Sequence, residues 1–403
     1  MFIYFLLIRI AALLGHRKAR KLVRGQKETK SVMSSQPSVF NHPIWVHAAS
    51  VGEFEQARPL IERLRREHPE QQVIVTFFSP SGYEMRKNYD QADKVLYLPF
   101  ATRRNARRFI EAVQPRMAIF VKYEFWPAYL RELKRRGIPT YSISAIFRPG
   151  QLFFLPWGKR HLSLLKCFAH IFVQDKASEE LLIRHGIKDC SVAGDTRFDR
   201  MQEVMARRKQ VPIVEQFVEG CDRVIVAGST WPKDEELLAQ FQANKLILVP
   251  HEIDEKHLHY IFNLFAGRMV RYSVVEKMPL AVSRQNILRQ AQVLVIDTMG
   301  LLSSLYPYGQ VAYIGGGFGV GIHNTVEAAV YGMPVIFGPN YHHFREAKGL
   351  IEAGAARSIA NYNELEEALT TALDQHRTIG AKASAYVEAE TGATEKIYSK
   401  IFG

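Results

Sequence analysis

The sequence predicts two parallel α/β domains in series, each a Rossmann-like sheet that presents its ligand loops at the carboxyl ends of its strands. Three observations carry that expectation. Short apolar runs rich in β-branched and aromatic residues alternate with polar amphipathic stretches of about ten residues or more, long enough for crossover helices. The runs lack strict apolar/polar alternation, as strands buried on both faces do. The same grammar then starts afresh near residue 223, after a polar stretch.

Length and composition agree. The 403 residues exceed one ordinary core and suit two domains of roughly 150–200 residues each. A hydrophobic fraction of 47% with 11% aromatics excludes a largely disordered chain. The three cysteines, Cys167, Cys190 and Cys221, fall in no CxxC or comparable spacing. The sequence therefore suggests neither a metal site nor a disulfide framework, and the thiols read as buried groups of a reducing compartment.

The first segment, residues 1–25, is an apolar run, MFIYFLLIRIAALLG, followed at once by HRKARKLVRGQK. It is shorter than the roughly 20 residues of a full span and lacks the basic n-region and cleavage site of a secretory signal. It reads as an uncleaved anchor or an interfacial helix whose basic flank faces the cytoplasmic leaflet. The net charge of +13 is unevenly placed: residues 1–200 hold 34 Lys and Arg against 18 Asp and Glu, the remainder 19 against 22. Such a split points to an anionic partner for the front half, whether phosphorylated ligand, nucleic acid or acidic membrane.

Residues 26–205 form the front domain, with strands expected in IWVHAAS, QQVIVTFFS, KVLYLPF, MAIFVKYEF, PTYSISAIF and HIFVQD. Residues 206–222 read as a linker, with the hinge near 201–222. The back domain, 223–380, has strands expected in DRVIVAGST, KLILVPHE, MVRYSVV, AQVLVID, VAYIGGG and MPVIFGP. A helical tail, 381–403, has room to cross back to the first domain.

The loops after these strands carry the chemistry. VAYIGGGFGVGIHNTVEAAVYGMPVIFGP runs from a strand through glycines, Gly316 and Gly317 among them, into a helix expected to start at Asn324. Exposed backbone NH groups and a helix N-terminus make an anion site there. Asn324 and Glu327 have the spacing of an N-cap and its capping-box partner. The same pair suits a ligand, with Glu327 on ribose hydroxyls and His323 and Asn324 on a phosphate or carboxylate. The run is not a dinucleotide fingerprint, since it does not open a βαβ unit, and no GK[ST] follows it. Gly228, Ser229 and Thr230 close another strand before a helix headed by Pro232, and Asp297, Thr298, Met299 and Gly300 form a third strand-to-helix turn. Three such turns in one half favour a nucleotide pocket.

The front half supplies acids. Ala48, Ala49, Ser50 and Gly52 leave the backbone open to a substrate, and Glu53 stands in the first turn of the next helix. A carboxylate there complements the helix dipole, worth about 0.3–1 kcal/mol; it is also placed as a base for a bound hydroxyl. Glu124 in VKYEFWPAYL is a second acid at a strand end, with Trp126 read as packing. Two acids on one rim suggest acid/base or substrate-orienting work, and SPSGYEM, residues 79–85, is a further turn for an anionic acceptor.

Taken in order, HAASVGE, YEFWP, ISA, AGDTRFD, GSTW, DTMG and GIHNTVEAA resemble the Kdo transferases, which move 3-deoxy-D-manno-oct-2-ulosonic acid from CMP-Kdo to the lipid A precursor in lipopolysaccharide synthesis. The likeness covers nearly the whole chain. It implies a GT-B glycosyltransferase with two domains facing a cleft, no metal or other cofactor, and an anchor on the cytoplasmic face of the inner membrane. By motif, Glu53 is implied as the general base and Glu124 as a positioning acid. Gly228, Ser229, Thr230, His251, Thr298, Met299, Gly300, Gly316, Gly317, His323, Asn324 and Glu327 are implied on the donor side. Ser50, Gly52, Ser81, Gly82 and Tyr83 are implied on the acceptor side. The chain departs from the family pattern at His251, where a Pro-Arg-His element usually carries arginine, at Leu301, where an acid usually follows DTMG, and at Tyr83, where an arginine often follows the Ser-Gly turn.

Two other classes compete. One is another two-domain sugar-nucleotide enzyme, a UDP-sugar transferase to a polyprenyl carrier or an epimerase. The other is a non-catalytic basic protein binding nucleic acid or membrane. Its arginines lie in scattered helical runs such as TRRNARR with no recognised nucleic-acid signature, so nucleic acid is not expected as a partner.

Overall fold

A computed structural model of the protein describes residues 2–35, 41–206, 208–279, 282–319 and 321–403. Met1 of the apolar segment, residues 36–40 of the front domain, Arg207 of the linker and Val320 of the glycine run lie outside the described residues. The chain forms two compact units, Met1–Arg200 with Thr391–Gly403, and Met201–Glu390.

Unit 1 contains seven strands: β1 (Ile44–Ala48), β2 (Val73–Phe77), β3 (Lys94–Tyr97), β4 (Met117–Val121), β5 (Thr140–Ala145), β6 (His170–Val173) and β7 (Cys190–Val192). All pair in parallel, in the order β3-β2-β1-β4-β5-β6-β7. Every residue of β1, β2 and β4 is buried, which is why their sequences show no alternation. Trp45 packs on one face against Phe109, Phe120 and Tyr129. The other face takes the helix Val51–Glu67, which buries Phe54, Ala57, Leu60, Ile61 and Leu64 at helical spacing. Each such large side chain contributes about 1.5–3 kcal/mol of burial.

The segment AGDTRFD locks this helix. Fully buried Asp195 accepts from Gln56 Nε2 at 3.0 Å and from the Arg197 guanidinium at 2.6 and 2.9 Å. Burial would push its carboxyl up, but Arg197 holds it below the usual range. Thr196 Oγ1 donates to the carbonyl of Gln56. Asp199 takes hydrogen bonds from Gly392 N, Thr394 N and Thr394 Oγ1 at 2.6, 2.7 and 2.6 Å, and so fixes the start of the last helix, Ala393–Phe402. That helix buries Ile397 and Tyr398 in the core cluster that contains Phe54 and Leu60.

At the other edge the N-terminal segment forms two helices, Phe2–Leu13 and Arg17–Ser35, separated by a turn at Gly15 with φ +99°. The second docks beside β3: Gln26 bonds the carbonyl of Leu98 and the NH of Phe100 at 2.6 and 2.8 Å, and Thr29 Oγ1 accepts from Tyr97 N at 3.0 Å. Among the described residues no helix is long and apolar enough to cross a membrane.

Unit 2 repeats the plan with β8 (Val224–Thr230), β9 (Lys245–Pro250), β10 (Met269–Arg271), β11 (Val293–Val295), β12 (Val311–Ile314), β13 (Val335–Phe337) and β14 (Ala356–Ser358). They pair in parallel in the order β10-β11-β9-β8-β12-β13-β14. The stretch 206–222 holds a helix, Pro212–Val218, whose Ile213, Val214 and Phe217 are buried. MVRYSVV is not one strand: it breaks after Arg271 into the helix Tyr272–Glu276, because Asp297 captures the NH and hydroxyl of Ser273. β7 and β14 were not expected; each is a three-residue edge strand, too short to show a period.

Replacing Asp199 by alanine removes the acceptor of three bonds at the last helix. Stability should fall by about 1–2 kcal/mol, the usual worth of an N-terminal cap, read as a lower denaturant midpoint with an unchanged m-value.

Candidate functional site

In each sheet the winding reverses beside the central strand: between β1 and β4 in unit 1 and between β8 and β12 in unit 2. Adjacent loops diverge at such a switch point and leave a crevice at the carboxyl ends of the strands. The backbone marks both places. Lys122, just past β4, and Ser229, near the end of β8, have φ of +61° and +54°, a left-handed conformation that side-chain-bearing residues adopt only at a cost. Ser229 also breaks the register between β8 and β9.

In unit 1, Ser50 is the N-cap of the helix Val51–Glu67 and Glu53 its third residue. Glu53 Oε2 accepts from Ser50 N at 2.8 Å and from Ser50 Oγ. This answers part of why a glutamate stands there: it closes a capping box. It also leaves Oε1 without a partner among the described residues. Gly52 is exposed, and a Cβ there would meet nothing closer than Ser50 Oγ at 3.9 Å. The next turn is tied alongside by Ser79 N donating to Ala49 O at 2.8 Å. Within it Ser81 is exposed, Gly82 is buried against Phe77, and Tyr83 stacks on Tyr97 with centroids 4.2 Å apart.

Glu124, beyond the end of β4, is held from two sides. Its Oε2 lies 3.1 Å from His47 Nε2 and accepts from Trp126 Nε1. His47 is wholly buried on β1. Trp126 packs, as expected, on Phe78, but it also supplies a hydrogen bond. Glu53 and Glu124 therefore stand at the exits of neighbouring strands, each with its own support.

In unit 2 the glycine loop is knitted to β8 by one carboxylate. Buried Asp234 accepts from Gly316 N at 2.9 Å, Trp231 N at 3.0 Å and Tyr313 OH at 2.7 Å; burial pushes its carboxyl up against the pull of those bonds. Gly316 has φ +91°, and a Cβ on Gly317 would fall 2.5 Å from Gly338 Cα, so glycine is required at both. Thr230 is buried and its hydroxyl donates to Glu235 at 2.9 Å; Gly228 is buried too, where a Cβ would fall 2.5 Å from Tyr306 OH, so of the three expected residues Ser229 is the accessible one. Glu235 is in turn bound to His257 Nε2 at 2.8 Å.

Above the loop three rings stack. Trp231 lies on His251 with centroids 4.8 Å apart, and His251 on His323 at 4.5 Å. Trp231 Nε1 donates to His323 Nε2 at 3.3 Å. An indole NH can only donate, so His323 carries its proton on Nδ1. Burial, and then the neighbouring His251, push the His323 pKa down to about 4. His323 is thus a neutral NH donor.

The expected helix start at Asn324 is corrected. The helix is Val326–Ala329 with Thr325 at its N-cap, so a single turn supplies little dipole. Asn324 Oδ1 accepts from Val326 N at 3.1 Å and its amide donates to Glu327 Oε1 at 3.0 Å: a side-chain bridge replaces the capping box. In the third turn Met299 is 74% exposed and Gly300 has φ +83°. Asp297 itself is spent on Ser273 and Arg271 at 2.5–2.8 Å, bonds that hold its carboxyl low although burial opposes them. Sequence reasoning missed His47, Trp231, Asp234 and the Glu235–His257 pair, although His47 heads the quoted HAASVGE and Trp231 closes the quoted GSTW.

Residues 16–200 match the family profile described as 3-deoxy-D-manno-octulosonic-acid transferase (kdotransferase). A 3-deoxy-D-manno-octulosonic acid transferase of Aquifex aeolicus is 29% identical over 348 residues, covering 83% of this chain and 87% of that one. One from Haemophilus influenzae is 27% identical, covering 82% and 78%. The likeness to Kdo transferases, which are glycosyltransferases, thus runs over most of the chain, and solved structures place its fold with the GT-B proteins. A Neisseria meningitidis UDP-GlcNAc 2-epimerase matches with TM-score 0.62 at 15% identity, over 89% of this chain and 99% of that one. Acinetobacter baumannii MurG matches with TM-score 0.57 at 13% identity, over 90% and 99%.

The His323 shift has a sign. An unfolded imidazole takes its proton near pH 6.5 and the folded one only near 4, so its contribution is intact above 6.5 and lost as pH falls towards 4. Chemical denaturation of wild type and His323→Asn across that window should show the gap between them narrowing as pH drops.

Proposed function

We propose that the protein is an inverting transferase that moves Kdo from CMP-Kdo to a hydroxyl of the phosphorylated lipid A precursor, on the cytoplasmic face of the inner membrane. The observation that carries this reading is Glu53: a carboxylate at the β1 switch point with one oxygen fixed by Ser50 and the other open. In this reading Oε1 takes the proton of the acceptor hydroxyl as that oxygen bonds to the anomeric carbon of Kdo. The bond from that carbon to the cytidylate oxygen breaks, and the electron pair leaves with the phosphate. Gly228, Ser229, His251, Gly316, Gly317, His323, Asn324 and Glu327 bind the donor, with the loop NH groups and neutral His323 facing its anionic groups. Thr230 serves through Glu235, supporting the turn, while Thr298, Met299 and Gly300 border the donor. Ser50, Gly52 and Ser81 contact the acceptor; Gly82 and Tyr83 shape that turn.

We assign residues 26–205 to the acceptor and 223–380 to the nucleotide sugar. Peripheral attachment fits the amino-terminal helices. Phe2–Leu13 is 12 residues long, about 18 Å at 1.5 Å per residue, short of a hydrocarbon core of about 30 Å. Leu13 and Leu14 are each 83% exposed. Beside them a groove of about 690 Å³ is lined by six cations, Arg9, Arg20, Arg24, Lys27, Lys30 and Arg108, and by no carboxylate. Apolar tips next to a basic groove suit an anionic lipid surface.

Glu53→Gln should lower Kdo transfer by about 10²–10⁴-fold while CMP binding, followed by calorimetry, stays within twofold; normal transfer would remove Glu53 as the base. Leu13→Asp/Leu14→Asp should cut co-sedimentation with phosphatidylglycerol vesicles several-fold and leave binding to neutral vesicles weak in both proteins.

A further inference from the structure

The support under Glu124 has a proton count that the hydrogen bonds fix. His47 Nδ1 lies 3.0 Å from the carbonyl oxygen of Thr76 and 2.9 Å from its Oγ1. Oγ1 already accepts from Trp45 Nε1 at 2.8 Å. The Thr76 hydroxyl can serve as donor or acceptor, but the carbonyl oxygen only accepts, and its 3.0 Å approach to Nδ1 is favourable only when Nδ1 carries a proton. On the other side of the ring, Nε2 is 3.1 Å from Glu124 Oε2, and Trp126 Nε1 approaches both of these atoms. The indole has one NH to give. If it were the only proton there, lone pairs of imidazole and carboxylate would face each other across 3.1 Å around a side chain that water does not reach, an arrangement that costs free energy.

We propose that His47 is a positioning residue which shares one proton with Glu124, and that this pairing separates the duties of the two acids on the unit 1 rim. The assignment rests on the transferase reading above. Oε2 is fixed by the imidazole and the indole, and the ring is fixed in turn by Thr76 on the adjacent strand β2. Oε1 of Glu124 has no partner among the described residues and is left to accept from a sugar hydroxyl. The imidazole and carboxylate together, counting the shared proton, are neutral. Among the described residues Glu53 has no such companion: its hydrogen bonds there are from Ser50. The acceptor's proton therefore goes to Glu53, while Glu124 orients the sugar without competing for it.

Two readouts on the full-length chain test this. In histidine ¹⁵N spectra, His47 of the wild type should show both ring nitrogens protonated, or Nε2 sharing its proton. Glu124→Gln should return it to an ordinary neutral ring protonated on Nδ1. An identical His47 signal in both proteins overturns the proposal. In kinetics, His47→Gln, which keeps an amide donor near the Nε2 position, should lower kcat/KM for the lipid acceptor by about tenfold to a hundredfold and leave CMP affinity unchanged. The double variant His47→Gln/Glu124→Gln should be no worse than Glu124→Gln alone, since the pair acts as a unit. Multiplicative losses, or a matching loss of CMP affinity, overturn it. If the wild type transfers no Kdo while the ¹⁵N coupling is present, the transferase reading fails and the shared proton stands.

Discussion

A parallel strand buried on both faces can be connected to its neighbour only by a crossover that returns to the same end of the sheet, and that handedness is nearly invariant. Every strand therefore leaves its sheet at the same rim, and it is in the crevice between the loops there that sheets of this kind bind ligands. In both units the residues with chemistry lie where the winding reverses, Ser50, Glu53 and Glu124 around β1 and β4, and Gly228, Ser229 and Gly316 around β8 and β12. Lys122 and Ser229 take left-handed backbone there, where the chain turns off the sheet.

Holding these segments in place takes buried and half-buried carboxylates rather than more apolar packing. Asp195, Asp199, Asp234 and Asp297 each accept from three or more donors, among them NH and hydroxyl groups that the turns would otherwise leave unpaired. Asp234 shows the logic most plainly: it accepts from the helix start at Trp231, from Gly316 and from Tyr313 on β12, so three elements of the unit 2 rim meet at one side chain. Because those acids are occupied, the proposed function leaves the ligand-facing polarity to backbone NH groups, Ser229, His323 and the Asn324–Glu327 bridge. The two acids of unit 1 differ from these in keeping one oxygen open.

Much of this was legible. The long strands announced themselves as apolar runs because burial on both faces removes alternation, and Glu53 and Glu124 were found because each follows such a run directly. What escaped depends on partners distant in sequence. Thr230 looked available to a ligand until Glu235, buried by the packing of two helices, claimed its hydroxyl. Asn324 has the spacing of a helix cap, yet its amide bridges to Glu327 and the one-turn helix begins two residues later. His47 sits in a conspicuous motif, but Thr76 and Glu124 are 29 and 77 residues away, and only pairing of β1 with β2 and β4 brings them together. β7 and β14 were too short to carry a pattern of their own.

The central claim is that this pair of rims transfers Kdo from a cytidylate donor to a phosphorylated lipid. Detergent-solubilised protein, supplied with CMP-Kdo generated in place and a tetraacylated, bisphosphorylated lipid A precursor, reports on it directly through the mass of the lipid product. The account predicts a gain of one or more Kdo residues that requires CMP-Kdo. A lipid of unchanged mass, with the protein folded and binding CMP, would contradict it and would direct attention to His251, Leu301 and Tyr83 as the marks of a different sugar or acceptor.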